Sequence, residues 1–297
     1  MKKTKRISTK AANKIADICI YLFLGLVALT CLLPFVHIAA KSVSEEAYVI
    51  AGRVFLLPKG FQLETYAKVF SDMSIMRSFF VTIIVTILFT ILGMLITTCA
   101  AYPLSRKKLI GREKISLFFM ITMYFSGGMI PSFLLVSNLG LLDTIWSLIL
   151  PTAFSAYNLL IMKNFLQSSI AESLVESAYI DGASEFKILA SIVVPLSKPI
   201  IATLTLFYAV GRWNAYSDAL FYIKRNIDIR PLQLKLYYLV VAATETVQDT
   251  LEVSTTPSNP EILKAATIMF ATVPILVVYP FIQKYFVQGT MIGAVKE

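Results

Sequence analysis

Charge is scarce in this chain. Asp, Glu, Lys and Arg make up 15% of its 297 residues, against about 25% in a soluble domain. A soluble enzyme needs a polar surface, and this composition does not supply one. Histidine occurs once, as His37 inside an apolar run, so no histidine-based metal site can be assembled. Cysteine occurs three times, at Cys19, Cys31 and Cys99, each in an apolar stretch. These are expected to be buried small hydrophobes, and no disulfide framework is available. With 12 Gly the chain is not collagen-like. No Gly-Lys pair occurs, so there is no phosphate-binding loop of the G-x4-G-K-[ST] form. The chain is therefore not expected to hydrolyse ATP, to be an enzyme or to carry a cofactor of its own.

Apolar residues are abundant, at 57%. That excludes disorder and leaves a multi-pass membrane protein, for which lipid is the solvent. Stretches free of Asp, Glu, Lys and Arg run over 18–40, 78–105, 115–142, 144–162 and 265–283. A helix needs about 20 residues to cross the hydrocarbon core, so each is a candidate span. A sixth, 199–221, is interrupted by Arg212 and Asp218 and is expected to meet water or protein at its outer half. The first run is too long for a signal-peptide core and lacks a convincing small-x-small cleavage site, so it reads as an anchor. The expectation is one all-α transmembrane domain over 1–297. Its six spans lie at about 18–40, 78–102, 115–137, 144–165, 199–221 and 265–286. Residues 236–244 are too short to cross and read as a buried or re-entrant piece.

Net charge is +9. On a soluble protein such an excess would suggest nucleic acid; on a membrane protein it collects in cytoplasmic loops. No nucleic-acid partner is expected. With six spans both ends share one side. The tails and the 2–3 and 4–5 loops hold 16 Lys and Arg, and the opposite loops hold 10. The short segment 106–114 alone carries five. Both termini are therefore expected in the cytoplasm.

The most unusual cytoplasmic segment is 168–198. Ser169 and Glu172 have capping-box spacing. Ile170, Leu174 and Ala178 then recur on one helical face, and Gly182 is a natural helix stop. A second helix carries Phe186, Leu189, Ala190 and Val193 at i, i+3, i+4, i+7, and Pro195 kinks or ends it. The loop carries Glu172, Glu176, Asp181 and Glu185 against Lys187. An anionic leaflet would repel it, so this elbow is expected to dock on a protein.

Glu176-Ser177-Ala178, three residues, Gly182, nine residues, Ile192, one residue, Val194-Pro195 is similar to the EAA motif, E-A-A-x3-G-x9-I-x-L-P. That motif belongs to permease subunits of binding-protein-dependent ABC importers. Asp181 and Ala183 also match the pattern, while Ser177 replaces Ala and Val194 replaces Leu. Arg106, Gly111-Arg112, Ser126 to Pro131, Trp213-Asn214, Pro231-Leu232-Gln233 and Gly289 to Lys296 extend the resemblance to the MalG-like carbohydrate branch, in the subgroup for complex oligosaccharides. The resemblance implies a second permease subunit in a heterodimer, two cytoplasmic ATPase subunits holding ATP and Mg, and an extracytoplasmic solute-binding protein. It also implies that Glu176, Ser177, Ala178, Asp181, Gly182, Ala183, Ile192 and Pro195 couple the chain to an ATPase, whose closure tilts the spans between inward- and outward-open states.

Trp213, Asn214, Tyr216 and Asp218 form a polar-aromatic cluster, with Arg212 beside it. They are candidates for a sugar pathway, or alternatively for an interfacial aromatic belt. On an unbroken helix Arg212 and Asp218 lie about 240° apart and are expected to find separate partners. Phe125 to Met129 superficially resembles an ATPase signature, but its place in an apolar run marks a helix break. The long external loop 222–264 is acidic over 242–263, as a solvated face or as a docking surface for the binding protein. The rival reading is a secondary transporter without an ATPase, for which Asp218 would be the one intramembrane carboxylate available for ion coupling.

Overall fold

The computed structural model describes residues 9–244 and 260–294, and the side chains of all of these but 9–12, 15, 242–244 and 281–294. The basic residues of 2–6, most of the acidic stretch 242–263 and the side chains of the C-terminal tail fall outside the described residues. Among the described residues the protein is all-α, with one isolated bridge between Ser44 and Phe61. The helices used below are α1 (Thr9–Ser42), α2 (Met73–Ser105), α3 (Arg112–Tyr124), α4 (Met129–Asn138), α5 (Ala156–Ser169), α6 (Glu172–Ile180), α7 (Glu185–Leu196), α8 (Lys198–Asn214), α9 (Ser217–Tyr222), α10 (Leu232–Thr244) and α11 (Pro260–Ala294).

The described residues fall into two units. One comprises residues 9–71 with 260–270. Its core is Ala40, Val49, Val54 and Ile262, and Lys41 pairs with Glu261 at 3.5 Å.

The other unit, residues 72–244 with 271–294, is organised by α2. Asp72 caps that helix by accepting from the backbone N–H of Ser74 (2.8 Å) and Ile75 (3.1 Å). Helices α5 and α8 both pack along α2. The approach of α8 requires Gly93. A Cβ there would lie 2.9 Å from the Ala153 carbonyl oxygen and 2.9 Å from Tyr208 Cε1. One turn further on, Thr97 Oγ1 and the Tyr208 hydroxyl meet at 2.7 Å. Small residues and an interhelical hydrogen bond are how helices associate when lipid removes the hydrophobic drive between them.

Among the described residues three helices are long and apolar enough to cross a membrane: Ala16–Ser42, Met73–Ser105 and Pro260–Pro280. They overlap the stretches expected as the first, second and sixth spans. The expected third and fifth are bent. Helices α3 and α4 meet at 109° across Phe125–Gly128, and α7 and α8 meet at 84° at Ser197. The break expected near Gly127 is therefore present. The fourth differs from the expected continuous helix. Residues 145–148 form a single 3-10 turn, the chain turns through Pro151, and Ser155 caps α5 from its side chain. Pro151 lacks a backbone donor and pushes Leu150 away from the helical region. The 14 residues of α5 span only about 21 Å. The three cysteines are exposed on this chain rather than buried.

Candidate coupling site

The segment 168–198 forms the expected two-helix elbow, with changes at both ends. Helix α5 runs on through Ser169, so Ser169 does not cap α6. The N-cap is Ala171, which makes no side-chain bond. Ile170 is extended and lies before the helix. The buried face of α6 is Val175 and Ala178, while Leu174 is exposed.

The stop at Gly182 has a complete bonding pattern. The N–H of Ala183 donates to the Ala178 carbonyl (2.9 Å) and that of Gly182 to Tyr179 (3.0 Å), the Schellman pair. Gly182 has φ +75°, which a residue with a Cβ resists. The motif positions thus have local reasons. Ala178 is the buried residue whose carbonyl closes the turn. Gly182 supplies the left-handed conformation. Ala183 packs back on the same apolar core as Ala178. Ser177 is exposed, and its hydroxyl donates to the Ser173 carbonyl at 2.9 Å.

Ser184 then caps α7 with its side chain. Of the expected face of α7, Leu189 and Val193 pack on the core together with Ile188, while Phe186 and Ala190 are exposed. A π-helical stretch runs over Leu189–Val193 and brings Ile188 and Val193, five apart, to the same side. Pro195 has no N–H to offer the residue four before it, and the widened turn accommodates that lost bond. Ile192 is half-buried against the core.

The elbow is fastened to the end of α2 and to the basic turn after it. Tyr102 donates its hydroxyl to Glu185 Oε2 at 2.7 Å, and the Tyr179 hydroxyl donates to Glu185 Oε1. The Arg106 guanidinium lies 4.9 Å from the Tyr102 ring centroid. Lys107 pairs with Glu172 at 3.2 Å and Lys108 with Glu176 at 3.5 Å. The Tyr179 hydroxyl, aided by Tyr102 and the nearby Arg106 and Lys108, holds the Glu185 carboxyl below its usual range against the opposing effect of burial. The same bond raises the Tyr179 phenol. Between elbow and α2 lies a cavity of about 560 Å³, lined by Cys99, Tyr102, Arg106, Tyr179, Glu185 and Phe186 among others. At the tip, Ile180 is 85% and Phe186 76% exposed. An apolar tip ringed by acids suits a protein surface better than an anionic leaflet.

The polar-aromatic cluster sits at a second helix break. Helix α8 ends at Asn214, Ala215 is extended, and α9 begins at Ser217. The break lets Arg212 and Asp218 meet, which corrects the expectation that they point apart. The guanidinium donates from Nη1 to Asp218 Oδ2 and from Nη2 to Oδ1 at 2.9 Å. It also donates to the Leu148 carbonyl at 2.8 Å. Both side chains are nearly or wholly buried. Trp213 is buried too, with its indole N–H on the Ala271 carbonyl at 3.1 Å. Of the five candidates only Asn214 and Tyr216 face outward. Tyr216 stacks on Tyr237 with ring centroids 4.9 Å apart.

Sequence reasoning missed Tyr102, Lys107, Lys108, Tyr179 and Glu185 as one network, because the partners lie on segments far apart in the chain. It also missed Asp143. This residue takes a left-handed φ of 58° and accepts from the N–H of Lys224, Arg225 and Asn226 at 2.7, 2.7 and 3.1 Å. Burial pushes its carboxyl up, but the three backbone donors outweigh that and hold it below the usual value.

The comparisons with known proteins fit this architecture. Residues 109–292, which include the elbow and the break at Ala215, match the family described as binding-protein-dependent transport system inner membrane component. The chain is 45% identical over 285 residues to the polygalacturonan/rhamnogalacturonan transport system permease protein YtcP of Bacillus subtilis, covering 96% of this chain and 99% of that one. It is 44% identical to the protein LplC of the same organism, covering 96% of each. The crystal structure of a bacterial ABC transporter involved in the import of the acidic polysaccharide alginate contains a chain that superposes with a TM-score of 0.84. Identity is 34%, with 95% of this chain and 100% of that one covered. With its apolar helices, elbow and broken spans, the chain belongs to the binding-protein-dependent transport system inner membrane component family, as a multi-pass permease of the ABC type.

Proposed function

We propose that this chain is one permease subunit of an ATP-driven importer that carries a sugar or oligosaccharide into the cytoplasm by alternating access. The observation that carries the reading is the elbow itself: two short helices held at a left-handed Gly182, with Ile180 and Phe186 presented at the tip. Such a shape can receive a push from a separate subunit and pass it to α2. ATP and Mg bind on two cytoplasmic ATPase subunits, one of which takes the elbow. A different permease chain completes the pathway, and an extracytoplasmic binding protein delivers the substrate. Both termini and the elbow lie in the cytoplasm. Polygalacturonan and alginate, the cargoes named for two relatives, place an acidic oligosaccharide first among substrates to test.

The break at Ala215 supports a pathway at that point. Open backbone at membrane depth is tolerated where it is covered by protein or lines a hydrated cavity, and interrupted helices commonly build substrate sites in transporters. Asn214 and Tyr216 are the side chains available to a passing sugar. Arg212, Trp213 and Asp218 hold the break in shape. A secondary transporter would need an ionisable carboxylate, and Asp218 is already matched by Arg212.

The test is purification of the assembled complex, with identification of the proteins that accompany this chain. ATP-dependent uptake of labelled oligogalacturonate into vesicles is then measured. Recovery with an ATPase and a second permease, and uptake that requires ATP, are expected. Uptake by this chain with no ATPase would overturn the reading.

A further inference from the structure

We propose that Glu185 is a positioning residue that couples displacement of the elbow to α2, through its hydrogen bonds to Tyr102 and Tyr179. This deepens the function proposed above and rests on it. One carboxylate joins three helices. Glu185 opens α7, Tyr179 lies in the last turn of α6, and Tyr102 lies in the last turn of α2. Other attachments hold the elbow to α2 and the turn after it, among them Lys108 over the Tyr179 ring at 5.7 Å. Val175, Ala178 and Ile188 share an apolar core with Ala101 and Leu104, and apolar contact is non-directional, so it permits sliding. The Lys107–Glu172 and Lys108–Glu176 pairs are exposed and screened by salt. The two phenol–carboxylate bonds are directional and charge-assisted. Tyr179 holds the carboxylate from within the elbow, and the Tyr102 bond fixes the register of elbow against α2, so a push at the tip moves α2 instead of shearing along it. Arg106, over the Tyr102 ring, keeps that ring facing the carboxylate.

The experiment uses the complete transporter with its ATPases, partner permease and binding protein, reconstituted in vesicles. Glu185→Gln and Tyr102→Phe are compared with the unchanged chain. Tyr102→Phe keeps ring, packing and carboxylate charge and removes one hydroxyl. In both variants ATPase co-purification is expected to stay as in the unchanged complex. Oligosaccharide transported per ATP hydrolysed should fall about tenfold, the factor expected for loss of one charge-assisted hydrogen bond. An unchanged ratio in Tyr102→Phe overturns the proposal. Loss of the ATPase from the Glu185→Gln complex would also overturn it, making Glu185 a docking contact. If the unchanged chain itself purifies with no ATPase, the failure lies with the proposed function and not with this residue.

Discussion

Arg212 and Asp218 face each other across a gap in their own helix, and the pair is closed within the protein. The guanidinium makes a two-pronged contact with the carboxylate and donates to the Leu148 carbonyl. Removing one member strands the other. Arg212→Met is expected to destabilise the protein by about 3–5 kcal/mol, the usual cost of leaving one buried charge unpaired. Arg212→Met with Asp218→Leu should recover most of that loss, because the desolvation penalty disappears with both charges. Thermal unfolding of the purified complex checks both values.

Gly182 gives a graded series. Nothing lies within 4 Å of a Cβ built there, so the penalty is confined to the backbone. Gly182→Ala should cost about 1–2 kcal/mol at the turn, Gly182→Asn less, and the β-branched Gly182→Val more. ATP-driven transport is expected to fall in the order Asn, Ala, Val. Unchanged transport in Gly182→Val would show that the left-handed turn plays no part in coupling.

Asp143 predicts a pH dependence. Its folded carboxyl titrates below the ordinary value of 3.8. The stability it contributes is therefore fully present above that value and is lost as pH falls through the lower, folded one. Asp143→Asn keeps tolerance of a left-handed φ but offers a neutral acceptor. At neutral pH the variant should melt below the unchanged protein. The gap should narrow as pH drops below about 4. Parallel melting curves at every pH would rule out this role.

At Gly93 the prediction is steric. Gly93→Ala places a methyl 2.9 Å from the Ala153 carbonyl oxygen and from the Tyr208 ring. Overpacking of this kind costs about 1–3 kcal/mol. Loss of the Thr97–Tyr208 bond should accompany it as α8 is pushed away. Gly25→Ala on α1, where nothing lies within 4 Å, is the matched control and should not lower thermal stability.

The parts legible in the sequence depended on local chemistry. Long apolar runs located α1, α2 and α11, because span length is set by the bilayer. Gly182 announced its turn, because only a residue without Cβ takes φ +75° cheaply. Where the sequence misled, a helix was assumed to continue. The 240° argument separated Arg212 from Asp218 only on an unbroken helix, and the break at Ala215 removed its premise. The face assigned to Ala190 presupposed 3.6 residues per turn, which the π stretch before Pro195 changes, while Leu189 and Val193 of that face do meet the core. The expected cap at Ser169 failed because α5 already occupied that residue. The clamp at Glu185 joins residues 83 apart in the chain, and no local pattern announces such a contact.

Uptake into vesicles tests the central claim most directly. The full complex would be reconstituted with ATP inside and a labelled acidic oligosaccharide with its binding protein outside. Uptake should require ATP and the ATPase subunits together, and Gly182→Val should abolish it while hydrolysis persists. Accumulation that proceeds without the ATPase, or that Gly182→Val leaves untouched, would contradict the account.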